Sequence, residues 1–224
     1  MKNSIKALSA SLIAAAVIAP TAQAEITANI ALTTDYVWRG ISQNTDESPA
    51  LQGGFDYGHE SGFYAGVWGS NVNFGGNESL ELDIYGGWGT ELDNGVGLDF
   101  GLIRYSYHGA SDSSDLDFTE FYAGVSYAGL GFTYSVGDEL GDQYELSYGY
   151  DLEAVSLAVA YGSYDVSGDS DDYDYYSAGV SGSFGGDSDI GWDVTYWGTS
   201  SDAEVLFGDD LSDGRIVFTI SKEF

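Results

Sequence analysis

From Ile26 onward, apolar and polar side chains alternate with a period of two. Ile26, Ala28, Ile30, Leu32, Thr34, Tyr36 and Trp38 fall on one face, and Asn29, Asp35 and Arg39 on the other. The alternation recurs with Leu80, Leu82 and Ile84 set against Glu81 and Asp83, and with Val96, Leu98, Phe100 and Leu102 against Asp99. It returns where Tyr144, Leu146 and Tyr148 face away from Glu145, and where Trp192, Val194 and Tyr196 face away from Asp193. Helical spacing fits none of these segments, so they read as strands with one apolar and one polar face. About 12 such strands are expected, near 26–39, 50–59, 62–73, 79–90, 96–107, 118–127, 130–136, 143–150, 154–164, 174–184, 189–198 and 214–224. Most approach the roughly 9–11 residues that a tilted strand needs to cross a bilayer.

The connections alternate in length. Long polar ones are expected near 40–49, 74–78, 108–117, 137–142, 165–173 and 199–213. Short ones fall at Glu60-Ser61, Asp93-Asn94-Gly95, Ala128-Gly129, Asp151-Leu152-Glu153 and between Gly185 and Ser188. A soluble sandwich has no reason to segregate its loops this way. A transmembrane antiparallel up-and-down β-barrel does, with long extracellular loops and short periplasmic turns. An even strand number then puts both termini on the periplasmic side.

The first residues change the picture of location. Lys2 and Lys6 precede an apolar stretch from Ala7 to Ile18, then Pro20 and the small-residue site Ala22-Gln23-Ala24. That layout predicts a secretory signal peptide over 1–24, leaving 25–224 as one barrel domain in the bacterial outer membrane. After residue 24 no apolar run approaches the roughly 20 residues of a spanning helix, so only a closed barrel satisfies every backbone group in lipid.

Composition adds exclusions. The chain has no cysteine and only two histidines, so thiolate or imidazole-rich metal sites are not expected, and no cofactor is. With the leader removed, Arg39, Arg104, Arg215 and Lys222 stand against 36 acidic side chains. That balance disfavours nucleic acid and bare anionic lipid as partners. Tyr 18, Phe 11 and Gly 32 beside Pro 2 favour strands and tight turns over helices.

The run Leu-Thr-Thr-Asp-Tyr-Val-Trp-Arg-Gly-Ile-Ser-Gln at 32–43 resembles the opening motif of the TorF-type porin family. The likeness continues through Pro49 to Tyr57 and Gly62 to Ser70, and becomes a matter of strand rhythm beyond about residue 90. The resemblance implies an outer-membrane barrel and brings no catalytic residues. On this reading Tyr36 and Trp38 share the apolar face near the outer end of the first strand, as part of an interfacial aromatic girdle. Arg39 points toward the lumen and Gly40 lets the chain turn. At the other end Ile216, Phe218, Ile220 and Phe224 share one parity, and Phe224 resembles the signal that barrel-assembly machinery reads.

Parity sends Asp35, Asp56, Glu81, Asp83, Asp99, Glu120, Glu145 and Asp193 to the polar face, together with Arg39 and Arg215. Turned to lipid, each charge near the midplane would cost up to roughly 2–4 kcal/mol, and together they would rival the ~5–15 kcal/mol stability of a typical domain. They are therefore expected to line an enclosed interior, where an acidic surface favours small cationic or neutral solutes. Arg104 sits where the alternation slips and has no assigned side. The competing reading is a non-conducting structural or adhesive barrel whose acidic loops bind a partner, lipopolysaccharide or divalent cations. The stretch Asp169-Ser170-Asp171-Asp172-Tyr173-Asp174 is the loop that could collect Ca²⁺, though it lacks EF-hand spacing. His59 and His108 are the only imidazoles a hydrolase could use, and neither lies in a nucleophile motif, so no enzyme is expected.

Overall fold

A computed structural model describes residues 24–45, 48–109, 113–138, 140–166, 172–185 and 190–224. The expected leader, apart from Ala24, lies outside these residues, as do Asp169 to Asp171 of the acidic loop. In chain order the strands are β1 (Glu25–Thr33), β2 (Val37–Trp38), β3 (Ile41–Ser42), β4 (Ala50–Gly58), β5 (Phe63–Ser70), β6 (Leu80–Glu91) and β7 (Gly97–His108). They continue with β8 (Phe118–Tyr127), β9 (Leu130–Gly137), β10 (Gly141–Asp151), β11 (Ser156–Val166), β12 (Tyr173–Ser183), β13 (Ile190–Thr199) and β14 (Arg215–Glu223). Two short helices, α1 (Ser201–Phe207) and α2 (Asp209–Ser212), occupy the last long connection.

All strands but β2 and β3 form one closed antiparallel barrel, in which each pairs with its sequence neighbour. Closure comes from β1, which lies between β4 and β14. Asn29 pairs with Gly54 on one side and Glu223 on the other, and Phe224 exchanges backbone hydrogen bonds with Ala28. The expected strand number is present, but the alternation of connection lengths holds only in part: β10 begins at Gly141, so the long loop expected near 137–142 shrinks to residues 138–140 because both strands extend into it, and the connections 167–172 and 184–189 are equal in length. With β1 and β14 each having its free end among the short turns, both described ends of the chain sit there.

The side-chain parity is that of a transmembrane barrel. On β6, Leu82 and Ile84 are 37% and 56% exposed on the outside, whereas Glu81 and Asp83 are 1% and 0% exposed within. Leucine, isoleucine, valine and phenylalanine cover the outer wall on strand after strand, a surface that belongs in hydrocarbon. Aromatic girdles bound it. Tyr134, Tyr144, Tyr161, Tyr176 and Tyr196 face outward on the long-loop half, and the Tyr134 hydroxyl donates to Asp142 at 2.6 Å. Tyr57, Phe63, Phe100, Tyr127, Tyr150 and Phe184 do so near the short turns. Arg104 proves to be outward-facing, on the parity of Leu102, and reaches Asp117 at 3.4 Å near the long-loop rim.

One expectation fails at the first strand. It ends at Thr33 rather than residue 39, and residues 34–45 fold into the barrel instead of continuing along its wall. Tyr36 and Trp38 are therefore not part of the outer girdle. Tyr36 is 3% exposed and Trp38 packs among Tyr105, Phe118 and Tyr164 inside the lumen. The alternation persisted through residue 38 because an apolar ring facing a lumen of tyrosines leaves the same sequence trace as one facing lipid.

The glycines and tyrosines account for each other. Tyr85 is registered opposite Gly66, Tyr64 opposite Gly87, Tyr122 opposite Gly101 and Tyr175 opposite Gly162. In each pair a Cβ on the glycine would collide with the tyrosine ring, so the ring lies flat over its neighbour strand. Such coverage of a strand glycine by a cross-strand aromatic stabilises the sheet while keeping the ring along the wall.

Candidate functional site

The site is the barrel interior, and its organising element is the hairpin of β2 and β3. Val37 pairs with Ser42 and Trp38 with Ile41, leaving Arg39 and Gly40 as a two-residue turn. Both have positive φ, +49° and +82°, as a primed hairpin turn requires. Glycine suits its position for a second reason, since a Cβ there would meet Thr199 Cγ2 at 2.7 Å and Tyr175 Cβ at 2.8 Å. Arginine does not suit its own, because a left-handed conformation costs an ordinary residue roughly 1–2 kcal/mol. Something must hold it there.

The Arg39 guanidinium supplies the answer. Its Nη2 donates to Glu120 Oε2 on β8 at 2.6 Å, with side chains 9% and 5% exposed. The same group lies 4.1 Å from the Trp38 ring centroid and 4.8 Å from that of Tyr164 on β11. The Tyr173 hydroxyl on β12 donates to the Arg39 carbonyl at 3.1 Å. The base of the hairpin is tied on other sides. Asp35 accepts from Arg215 on β14 at 2.9 Å and from Ser42 at 2.8 Å, and the Tyr36 hydroxyl donates to Glu81 on β6 at 2.8 Å. Anchors on β6, β8, β11, β12 and β14 span more than half the circumference, so the hairpin crosses the lumen in its long-loop half. Asn44 and Asn73 bridge it to the next long connection.

Two aromatic clusters pack around it. Tyr164, Tyr173, Tyr175, Trp197 and Val217 meet Val37 and Ile41 on one side, and Tyr36 joins Ile103, Tyr105, Tyr107 and Phe118 on the other. Below, the lining turns polar. Tyr64 and Tyr122 share a hydroxyl contact, Tyr64 also donates to Asp99 at 2.7 Å, and Tyr85 hydrogen-bonds Asp56. Glu145 accepts from Tyr175 at 3.0 Å, and Asp193 from Thr195 at 2.9 Å.

The ten residues assigned inward by parity thus fall into three groups. Asp35, Arg39, Glu120 and Arg215 form two ion pairs that fix the hairpin. Asp56, Asp99, Glu145 and Asp193 are bound by tyrosine or threonine hydroxyls along the wall. Glu81 and Asp83 lie beneath Tyr36. Sequence reasoning missed the tyrosines that accompany them, although a glycine at the matching register position was a usable signal. The two histidines are far from this interior chemistry. His59 Nδ1 meets Ser61 Oγ at 2.7 Å within an exposed short turn, and His108 is exposed at the opposite rim. Among the described residues no cluster of three or more acidic, histidine or cysteine side chains is arranged to hold a metal ion.

The whole described chain falls within a match to a family model described as a bacterial protein of unknown function, Gcw_chp, over residues 18–224. No curated protein matches it. Among solved structures it is similar to OccAB1 of Acinetobacter baumannii, at 12% identity and a TM-score of 0.44, covering 85% of this chain and 59% of that one. OccK5 (OpdH) of Pseudomonas aeruginosa aligns at 11% identity and TM-score 0.45, over 91% of this chain and 68% of the other. LpxR from Salmonella typhimurium aligns at 8% identity and TM-score 0.47, over 88% and 99%.

Proposed function

The chain belongs to the Gcw_chp family, whose function is unknown, and from that premise we propose that it is an outer-membrane channel for passive diffusion of small cationic or neutral solutes. The observation that carries this reading is the enclosed acidic lining. Arg39 and Arg215 each neutralise one carboxylate, which leaves Asp56, Glu81, Asp83, Asp99, Glu145 and Asp193 facing inward without an arginine partner. A pore lined by such carboxylates attracts cations and repels anions. The likeness of residues 32–43 to TorF-type porins supports the same reading. The inward hairpin then acts as the constriction and sets the size of what passes.

A second reading has an observation of its own. The hairpin and its aromatic clusters occupy the long-loop half, as they would in a closed structural or adhesive barrel that meets partners through its acidic loops. In either case the apolar wall contacts outer-membrane lipid, the loops meet lipopolysaccharide, and Phe224 presents the strand end to the assembly machinery after export by a cleaved signal peptide.

Planar-bilayer recording separates the two. Refolded protein, with its folding verified by heat-modifiable migration on a detergent gel, should give discrete steps with a reversal potential displaced toward cation selectivity in a salt gradient. Silence across a range of salts would reject the channel and leave the closed barrel. Deletion of residues 167–172, which spares both strands and the Tyr173 anchor, should leave conductance unchanged if the channel reading holds, and should abolish surface binding if the adhesive one does.

A further inference from the structure

Asp83 is the least satisfied charged residue of the interior. It is 0% exposed, and neither carboxylate oxygen has a hydrogen-bond partner among the described residues. Its strand neighbour Glu81, two residues away on the same face, is equally buried but accepts from the Tyr36 hydroxyl at 2.8 Å and is hydrogen-bonded by Tyr107. The two carboxylates stand roughly 6–7 Å apart along the strand. Every cation of the described chain is engaged elsewhere: Arg39 with Glu120 at 2.6 Å, Arg215 with Asp35 at 2.9 Å, Arg104 with Asp117 at 3.4 Å, and Lys222 over Phe224 at 5.0 Å.

A buried carboxylate with no counter-charge is strongly destabilising. A proton alone does not cure it, because a neutral acid whose O–H meets no acceptor still carries the penalty of an unsatisfied buried donor. The flanking positions indicate what does. On β5 the residue registered with Asp83 is Trp68, and on β7 it is Tyr105, so an aromatic ring stands on each side. Ring faces attract cations, the more so where water is excluded. Two carboxylates with aromatic neighbours and no third acid do not make the six to eight oxygen ligands of a divalent ion.

We propose that Glu81 and Asp83, flanked by Trp68 and Tyr105 and roofed by Tyr36, bind a small monovalent cation of the alkali or ammonium type. The site goes beyond conduction and does not need it, since a cation held here would stabilise a closed barrel as well as an open one.

The test uses the full refolded barrel in detergent. Potassium chloride or ammonium chloride is titrated at constant ionic strength against N-methylglucamine chloride, whose cation is too bulky for the site. Tryptophan fluorescence and the temperature of the heat-modifiable transition are read together. A saturable fluorescence change with a rise in transition temperature is expected. Asp83→Asn should lose both, and Trp68→Phe should lose the fluorescence change while keeping the thermal shift. The absence of a saturable response in the unsubstituted protein, or an equal response in Asp83→Asn, overturns the proposal. Should Asp83→Asn fail to fold, Glu81→Gln decides. Its apparent affinity should fall by roughly tenfold or more, the effect of removing one unit charge about 6–7 Å away in a protein-like dielectric, and an unchanged affinity would refute the site. No current is measured, so a barrel that binds cations without conducting them sinks the channel and spares this inference.

Discussion

Arg39→Ala is the sharpest perturbation of the hairpin. The substitution removes one partner of an ion pair buried on both sides and leaves Glu120 without its counter-charge. Breaking such a pair costs about 3–5 kcal/mol. Loss of the guanidinium from the faces of Trp38 and Tyr164 adds roughly 0.5–2 kcal/mol. None of this falls on the barrel ladder, because Arg39 belongs to no barrel strand. It falls on the docking of residues 34–45, whose released population should rise by roughly two to three and a half orders of magnitude from the ion pair alone. Single-channel recording should then show larger or longer-lived steps than the unsubstituted protein, with the barrel still folded by heat-modifiable migration. Glu120→Ala should act similarly. The double variant should be less disturbed than the sum of the singles, because it leaves no orphaned charge. Arg39→Gly offers a control within the same turn. It loses the same ion pair but relaxes the positive φ, and should be about 1 kcal/mol less damaging than Arg39→Ala. Identical conductance and transition temperature in Arg39→Ala, or strict additivity with Glu120→Ala, would refute the claim that this pair holds the constriction.

Three further substitutions probe the turn, the outer wall and the lining. Gly40→Ala combines a positive φ with a collision against Thr199 and Tyr175, so it should destabilise hairpin docking by about 1–3 kcal/mol and reproduce the conductance change of Arg39→Ala; a wild-type trace would show the turn to be adaptable. Ile84→Arg places a charge on the outward face near the middle of β6 and should cost about 2–4 kcal/mol of folding in lipid vesicles, seen as a lowered denaturant midpoint; an unchanged midpoint would mean that this wall does not face hydrocarbon. Gly162→Ala should lift the Tyr175 ring off β11 and break its hydroxyl contact with Glu145, lowering the unfolding temperature, and Gly162→Ala combined with Tyr175→Phe should not restore it, because phenylalanine sheds the clashing hydroxyl but keeps the ring carbons Cζ and Cε1, which collide as well.

The barrel was legible because a lipid-facing wall imposes a contrast at every second residue. Only a period of two puts Leu82 and Ile84 on one face and Glu81 and Asp83 on the other, and most strand ends followed from where that contrast stops, the end of β1 excepted. The loop asymmetry was legible in part: short turns such as Ala128-Gly129 leave their residues no room for anything but a reversal, whereas the polar run at 137–142 read as a loop and is largely strand. The hairpin was not legible. Tyr36, Val37 and Trp38 obey local rules that hold equally for a wall strand, and only their partners, up to 180 residues away in the case of Asp35 and Arg215, decide that they turn inward. The Arg39-Gly40 pair was a faint trace of the turn, weakened because arginine is a poor occupant of a left-handed position. For the lumen, parity could say which carboxylates face in but not which are neutralised. That depends on where Arg39 and Arg215 reach, and they reach the rim rather than Asp83.

A barrel of this size has a choice between filling its interior with side chains and lining it, and small barrels commonly fill. The registered glycines bear on which applies here. Rings that lie flat over Gly66, Gly87 and Gly101 extend along the wall, so Tyr85, Tyr64 and Tyr122 present hydroxyls to the interior without reaching across it. If the barrel were meant to be filled, larger residues at those glycine positions would fill it more cheaply and give stronger strands. The lining below the hairpin is thus built to stay thin, while the element that does cross the lumen is a separate hairpin tied by two ion pairs and a few hydroxyls. If the proposed channel reading holds, permeability is decided at that one removable element, and the carboxylates beneath it select the sign of charge that passes.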